Sequence, residues 1–573
     1  MTKSERFNIY YYIELISAIL FSILSVSFHA DISLLAFPIA AIFTGITVYF
    51  GFFKFLKVKN AKNYMLNLKL IQYLPFVLFI SFIFRRAGNF ATSTFYDVIT
   101  VILWIVNFVV SFFISYFLNE KKHKFIFDKS WINRPEKKIH TPVVAFSIWI
   151  LEWIDALVQA VFMVLLLQIF VAQLYLIPSE SMVPNLLVGD RVVVSKINCG
   201  PKFPLTEIGL PDLGNYKRGD IVVLRNPHYK MDRKSDVKTV VAQIVHMITF
   251  TKVNIDKDEN GKQKYDPLVK RIAGEEGEQI VMQDGILYAR TKDKPDFEPV
   301  PLDNKYAAWN LNELSDNTKK YINTIPLQQS YYDLLLDIEE SRRNFDLNKA
   351  ESEINGNIVK LSKYTSNKVD FKKTDLFFGQ FYNIITRSDL ASIDSLFKNQ
   401  EGFKWFKEYL TSWLPNKDVQ KDIYQEANYK LNVMFKYELS NYVTRYAELE
   451  AQNKLDSFFN DEIVIEAERN IENISFYLNI LDQRNMPVFP ACTEDGEPVY
   501  IPKNCYFMMG DNRFNSLDLR HSYDPQFTPL SKYDSMSITY YSNIEPQYIN
   551  KKLIIGKPFY RIFPFSRTGK LNQ

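Results

Sequence analysis

The chain has 573 residues, which is too long for a single hydrophobic core and predicts several domains. Its formal net charge of +4 is small for this length, so composition gives no reason to expect nucleic acid as a partner. The cysteines Cys199, Cys492 and Cys505 lack the spacing of metal ligands. They are either three buried thiols or one disulfide with a free thiol.

Five hydrophobic runs in the first third of the chain are each close to the ~20 residues that a membrane-spanning helix needs. We therefore predict four transmembrane helices over residues 1–145 and a fifth at 146–176 that anchors the rest of the chain. The runs are 9–28, 34–53, 64–84, 98–118 and 156–175.

Basic residues near the ends of these runs predict the orientation, because positive charge is retained on the cytoplasmic side. The loops at 54–62 and 121–138 are rich in lysine, and the N-terminus carries Lys3 and Arg6. We expect all three to be cytoplasmic, which makes this a multi-pass protein of the cell (inner or plasma) membrane with everything after the fifth run on the outer face. Arg85 and Arg86, at the outer end of the third run, are exceptions to this rule.

The sequence beyond the fifth run alternates between two kinds of pattern. Short segments rich in β-branched residues, such as 191–194 and 221–224, are separated by glycine-containing turns and predict β-strands. Between about 301 and 485 glycine is scarce and apolar residues recur at helical spacing. We predict a mainly β module at 177–300 and 486–573, interrupted by a helical insert domain at 301–485.

A serine motif, Ser179-Glu180-Ser181-Met182-Val183-Pro184, follows directly behind the fifth run. By itself it fits an ordinary turn as well as a nucleophile held at the bilayer surface. A serine hydroxyl needs a base, and Lys270 in an apolar segment is a candidate, since burial lowers the pKa of a lysine from its usual value of about 10.4. The acidic residues at 275–278 would oppose that shift, and His521 keeps a Ser-His-Asp arrangement open.

Two further segments, Val269-Lys270-Arg271-Ile272-Ala273-Gly274 and Gly510-Asp511-Asn512-Arg513, follow the serine motif in the chain. In this order the three motifs resemble those of the type I signal peptidases, which are membrane-anchored proteases with a Ser-Lys dyad. The resemblance covers about 175–290 and 486–565 and does not extend to the earlier spans or the insert. It departs from the family pattern at Asn185, where Thr or Ala is common.

The resemblance implies roles for individual residues. Ser181 matches the nucleophile, Lys270 the general base, and Ser179 the hydroxyl that forms an oxyanion hole with the backbone N–H of residue 181. The residues that match the support of the base are Ser516, Asp518, Arg520 and, as a further member of their network, Arg271. Those that match a scaffold turn are Gly510, Asp511, Asn512 and Arg513.

The resemblance also implies a function, the removal of signal peptides from exported preproteins with small side chains at the positions one and three before the cut. Signal peptides and the lipid bilayer are then the expected partners, with the secretion machinery as a further candidate and no metal, cofactor or nucleic acid. Two alternatives stay open: a membrane receptor or scaffold with an inactive outer domain, and a processing protease dedicated to a restricted substrate set. We expect the insert to hold no catalytic residues and to govern access of substrates or partners, with a passive elaboration of the fold as the alternative.

Overall fold

The computed structural model describes residues 2–571 except for 89–92, 120, 134–140, 230–231, 250–252, 254, 258–260, 262–263, 265, 367–368 and 372–389. Part of the basic loop predicted at 121–138 therefore lies outside the described residues.

Five helices near the N-terminus are long and apolar enough to cross a membrane. Four of them pack against one another as a bundle, and the fifth contacts the bundle through only a few buried residues. Their bounds are α1 (Lys3–Leu24), α2 (Ala36–Val48, within the span Ile32–Leu56), α3 (Tyr64–Ala87), α4 (Thr94–Leu118) and α5 (Pro142–Phe170).

The strands and the helix that precede the predicted insert are β1 (Ala172–Leu176), β2 (Arg191–Ser195), β3 (Ile221–Leu224), α6 (Arg233–Ile248), β4 (Leu268–Gly274), β5 (Glu278–Gln283), β6 (Ile286–Thr291) and β7 (Glu298–Pro299). The helices that follow are α7 (Pro301–Tyr306), α8 (Asp316–Lys319), α9 (Gln329–Arg343), α10 (Leu347–Leu361), α11 (Leu390–Lys398), α12 (Gln400–Thr411), α13 (Ile423–Ala451), α14 (Glu462–Leu478) and α15 (Leu481–Arg484). The last strands are β8 (Met486–Phe489), β9 (Cys505–Met509), β10 (His521–Pro529), β11 (Thr539–Ile544), β12 (Ile549–Asn550), β13 (Ile554–Phe563) and β14 (Gly569–Lys570).

The hydrophobic run predicted at 156–175 does not continue as a helix to its end. Helix α5 ends at Phe170, and residues Ala172–Leu176 form β1, which pairs antiparallel with β2. Strand pairing satisfies the backbone of this segment as well as a helix would, so its apolar character does not decide its conformation. The fifth apolar helix therefore passes directly into the first strand of the β module.

The β module is closed by strands from both sides of the helical region. The main sheet has the order β1-β2-β13-β3-β4-β9-β12, with β14 paired to β13, and a second sheet has the order β7-β6-β5-β8. Strands β9 and β13, which come late in the chain, pair with β4, β2 and β3, which come early. The chain leaves the second sheet at β7, on one edge, and re-enters it at β8, on the opposite edge beside β5.

Helices α9 to α15 share one hydrophobic core. Helix α13 is buried on most of its surface because it packs against α10, α12 and α14. The apolar residues at helical spacing include Leu431, Leu439 and Tyr442, which are buried in this core. The core also contains Leu530 and Tyr540 of the β module. The helical region and the module are thus in continuous apolar contact.

The three cysteines are free thiols with different environments. Cys505 is buried on β9, Cys199 is half-buried, and Cys492 is exposed. The structure thus contains neither the disulfide nor the set of three buried thiols that the sequence left open.

A buried ion pair joins α13 to the β module. Lys436 on α13 donates to Asp534, between β10 and β11, and neither side chain is exposed. Asn432, one turn earlier, donates to the same carboxylate (2.7 Å) and accepts from the N–H of Ile538 (3.0 Å). Because both charges are removed from water, each depends on the other for compensation.

Replacing Asp534 by alanine tests this link, because it leaves the Lys436 ammonium buried without its carboxylate. We expect a loss of roughly 3–5 kcal/mol in the free energy of unfolding, measured as a lower thermal midpoint of the purified protein in detergent. The control is Lys430→Ala on the same helix, whose partner Glu426 is exposed, so that the pair contributes about 1 kcal/mol or less. Equal midpoints for the two variants would contradict a structural role for the buried pair.

Candidate active site

Ser181 lies in the loop between β1 and β2, directly after the membrane anchor. Met182 and Val183, which follow it, are buried, whereas Ser181 is half-buried and Ser179 is exposed. The apolar side chains fix the loop to the module and leave the two serine hydroxyls at the surface, with their Oγ atoms 3.4 Å apart. The structure therefore brings together the two serines that the resemblance assigns to the nucleophile and the oxyanion hole.

The turn at 510–513 holds the backbone of this loop. Asn512 donates from its backbone N–H to the Ser181 carbonyl oxygen and from Nδ2 to the Glu180 carbonyl oxygen, both at 3.1 Å. The carboxylate of Asp511 accepts from Nδ2 of Asn185 at 2.7 Å. The side chain at position 185, where the sequence departs from the family pattern, is thus a second tie between the loop and the turn.

Gly510 stands where the loop, the turn and the strand of the lysine meet. A Cβ at this position would lie 2.5 Å from the Ser181 carbonyl oxygen and 2.1 Å from the Ser516 Oγ, closer than packed atoms approach. The register between β4 and β9, continued by one residue, places Lys270 opposite Gly510. Only glycine lets the serine backbone approach so near to the lysine strand.

Lys270 is almost completely buried, at 3% exposure. In the part of the chain that the structure describes, its ammonium has neither a hydrogen bond nor an ion pair. Burial lowers the pKa of Lys270 to about 8, against an opposing effect of the Asp518 and Asp511 carboxylates, while the Arg520 guanidinium acts with burial. With a pKa of about 8 the lysine is still mainly protonated near neutral pH, but it holds far more neutral amine than a lysine with the usual pKa of about 10.4.

The acidic residues that follow the lysine strand are engaged elsewhere. Glu278 forms an ion pair with Arg218, and Glu275 accepts a hydrogen bond at 2.8 Å from the backbone N–H of the same arginine. Their charges are not among those that act on Lys270. The opposition to a lowered lysine pKa that the sequence predicts at 275–278 is therefore not seen.

Asp518 and Arg520 form a buried pair beside the site. The guanidinium of Arg520 donates to both carboxylate oxygens, at 2.8 and 3.0 Å, and Gly510 N–H donates to the same carboxylate at 2.8 Å. Although burial opposes the shift, Arg520 holds the pKa of Asp518 below its usual range. The pair holds the turn through the Gly510 N–H and stays ionised.

Arg271 does not belong to that pair. Its Nε and Nη2 donate to the two oxygens of Asp511, each at 2.7 Å, and Nη1 donates to the Gly219 carbonyl oxygen. The prediction that Arg271 joins Asp518 and Arg520 is wrong, because adjacent residues of a strand point to opposite faces. Arg271 instead supports the turn from the face away from Lys270.

Ser516 has a buried hydroxyl that makes no hydrogen bond to any described residue. Its Oγ lies against Gly510, which is also the neighbour of Lys270 across the strands. Ser516, which the resemblance assigns to the support of the base by a hydrogen bond to Lys270, makes no such bond in this structure, although both residues border Gly510.

His521, the rival base, is turned toward other partners. Its Nε2 lies 3.2 Å from the Asp482 carbonyl oxygen, and its Nδ1 lies 3.9 Å from Asp518. Burial, followed by the Arg520 guanidinium, lowers the pKa of His521 to about 4, so the ring is neutral. No described contact of His521 reaches either serine of the loop, and a Ser-His-Asp arrangement is not supported.

A segment assigned to the insert by the sequence also reaches the serine loop. We call residues 307–323 the strap. Leu311, at 2% exposure, packs with Val183 and Leu187 of the loop, and the Asn323 N–H donates to the carboxylate of Glu180. The strap therefore packs on the serine loop, and Glu180 is a buried anchor that sequence analysis did not single out.

The strap is tied to the turn as well. Ala308 N–H donates to the Asp511 carbonyl oxygen at 2.7 Å, and Arg513 N–H donates to the Ala308 carbonyl oxygen at 3.2 Å. The buried guanidinium of Arg513 forms an ion pair with Asp303 on α7 at 2.7 Å. The sequence shows no signal for these contacts, because they join residues roughly 200 positions apart, as the 210-residue separation of Arg513 and Asp303 illustrates.

Comparison with known proteins gives one family. Residues 150–340 match the family described as "Signal peptidase, peptidase S26". Signal peptidase I of Buchnera aphidicola subsp. Schizaphis graminum is 32% identical over 141 residues, which is 25% of this chain and 41% of the relative. Signal peptidase I of Helicobacter pylori is 38% identical over 92 residues, 14% of this chain and 30% of the relative.

A third relative, Signal peptidase I P of Bacillus subtilis subsp. natto, is 27% identical over 143 residues, 25% of this chain and 52% of the relative. The chain thus spans less than two thirds of the length of each of these relatives. No solved structure matches the chain.

The packing at Gly510 yields a test that needs no substrate. We expect Gly510→Ala to lower the free energy of unfolding by roughly 1–3 kcal/mol, the usual effect of an added methyl in a packed interior, measured as a drop in thermal midpoint. The control is Gly356→Ala on α10, where a Cβ meets open space and the helix gains up to about 1 kcal/mol. A thermal midpoint of Gly510→Ala at or above that of the unmodified protein would contradict the close packing of Ser181 and Ser516 against Gly510.

Proposed function

Since residues 150–340 match the family described as "Signal peptidase, peptidase S26", we propose that the chain is a membrane-bound serine endopeptidase that cleaves N-terminal signal peptides from exported preproteins. The observation that carries this proposal is the junction at Gly510, where an accessible serine loop meets the strand of a buried lysine without a charged partner among the described residues. A neutral amine beside a serine is what a Ser-Lys dyad requires.

In the proposed reaction the amine of Lys270 removes the proton from Ser181 as Oγ attacks the carbonyl carbon of the scissile bond. The Ser179 hydroxyl and the Ser181 N–H, which has no acceptor among the described residues, donate to the developing oxyanion. The tetrahedral intermediate then collapses, the C–N bond breaks, and the leaving amine takes the proton from the Lys270 ammonium. Water, deprotonated by the same lysine, hydrolyses the Ser181 ester and releases the signal peptide.

The orientation that we propose places the N-terminus in the cytoplasm and the β module outside. Its support is the arrangement of the bundle, whose two lysine-rich connections lie together at one end, where Lys59 Nζ donates to Ser130 Oγ (3.1 Å) and Ala61 N–H donates to the Ile132 carbonyl oxygen (2.9 Å). The β module follows α5 and contacts the bundle at its other end, near Arg86. The substrates that we propose are preproteins with small residues before the cut, presented from the bilayer.

The dyad is tested by single substitutions in the full-length protein in detergent. We expect Ser181→Ala and Lys270→Met to abolish cleavage of a preprotein, and Ser179→Ala to lower kcat by about 10²–10³, the usual loss for one oxyanion donor. His521→Ala is the control, since its ring contacts neither serine, and it should keep activity. If His521→Ala lost cleavage activity while Lys270→Met kept it, the general base would be the histidine and not the lysine.

The pH dependence tests the protonation state of the base. Because burial lowers the pKa of Lys270 to about 8, the proton that blocks it is lost as pH rises, and kcat/KM should increase through about pH 8 before levelling off. Burial also lowers the pKa of Lys196 to about 8, which provides a control. Lys196→Met should leave the midpoint of the pH profile of kcat/KM unchanged. If the profile became flat in this variant, the titrating group would be Lys196 and not Lys270.

A further inference from the structure

Arg86, one of the two arginines that the positive-inside rule does not explain, is a buried contact between the membrane bundle and the β module. Its side chain is near the outer end of α3 with 7% exposure. Nε and Nη2 both donate to the carbonyl oxygen of Leu205, at 2.9 and 2.6 Å, and Nη1 lies 3.4 Å from the Asp97 carboxylate on α4. The positive charge is therefore compensated within the bundle while the guanidinium binds the outer module.

Leu205 is at the tip of a narrow excursion of the module that we call the finger, residues 199–212, whose two sides are joined by isolated antiparallel bridges. Phe203 of the finger has 7% exposure and lies among the helices. Its ring centroid is 5.5 Å from that of Trp104 on α4 and 4.8 Å from that of Phe170 at the end of α5. An aromatic ring of the module thus completes the apolar core of the bundle's outer end.

A third contact lies apart from the finger. Arg233 on α6 of the module donates from Nε to the carbonyl oxygen of Gly88, just beyond the end of α3. Contacts through Arg86, Phe203 and Arg233 at separate points prevent the module from rotating on the bundle. The covalent link between the module and the membrane region is α5, whose buried residues are Phe162 and Leu166.

We propose that the four-helix bundle is a docking platform for the finger, and that docking sets the height and tilt of Ser181 above the bilayer. A fixed height selects substrates by the length of chain between their membrane-embedded apolar segment and the bond to be cut. This inference rests on the proposed function, and it adds a determinant of specificity that lies far from the serine in the sequence. Arg86 and Phe203 are positioning residues in this arrangement, since neither contacts the serine loop in the described structure.

The experiment compares two kinds of substrate with the full-length protein reconstituted in phosphatidylcholine–phosphatidylglycerol vesicles. One is a set of bilayer-embedded preproteins in which the spacer between the apolar segment and the cut is lengthened residue by residue. The other is a soluble peptide that spans the same cut. We expect Arg86→Ala and Phe203→Ala to lower the ratio of kcat/KM for the best embedded preprotein to that for the peptide by about tenfold to 100-fold, the effect of a small misplacement of reacting groups.

The same two variants should also broaden the range of spacer lengths that is cleaved, which a loss of stability alone would not do. The matched control is Arg85→Ala, because Arg85 is adjacent on α3 but stacks on the ring of Tyr96 at 5.3 Å rather than on the finger. It should keep both the ratio and the spacer preference.

Three results would overturn the docking proposal: an unchanged ratio and spacer range in both variants, an equal loss of cleavage of the peptide and the preproteins, or the same change in Arg85→Ala. Arg86→Lys gives a milder version of the test, since a lysine keeps the charge but lacks the forked pair of donors. Absence of any cleavage by the unmodified protein would count against the proposed function itself and is thus distinguishable.

Discussion

The Ser181 carbonyl oxygen accepts a hydrogen bond from Asn512 and lies against Gly510 with no room for a side chain between them. This contact requires that a loop near residue 180 and a turn near residue 510 arrive at the same point. They do so because β9 and β13, from the end of the chain, are inserted between and beside strands from its middle. The geometry of the candidate site is therefore a consequence of how the β module closes over the long helical region.

Among the described charged groups around this junction, three arginines form ion pairs with carboxylates, whereas Lys270 forms none. Arg271 is bound to Asp511, Arg513 to Asp303, and Arg520 to Asp518, all within buried pairs. Each of these three carboxylates is thereby paired with an arginine, which keeps its charge at any relevant pH. Lys270 shares the burial of these groups but not their pairing, and desolvation then favours its neutral form.

The helical region is more closely joined to the module than an appended domain would be. Its first residues form the strap over the serine loop, and its last helix provides the carbonyl oxygens that receive Arg520 and His521. The Lys436–Asp534 pair adds a link far from the site. Removal of residues 305–480 would therefore also remove the strap and expose the serine loop.

Much of this could be predicted from the sequence, because the signals are local: apolar runs long enough to span a bilayer, a change from strand to helix periodicity, and the motifs at 179–184, 269–274 and 510–513. The assignment of Lys270 to a buried strand likewise follows from its immediate neighbours. What the sequence could not show depends on pairing between distant segments. Examples are the end of α5 at β1, the partner of Arg271 and the contact of Arg86 with Leu205, 119 residues away. A side chain's own chemistry limits its possible partners, but only the tertiary structure decides which of them it meets, because the free energy of burying a charge depends on neighbours that chain order does not reveal.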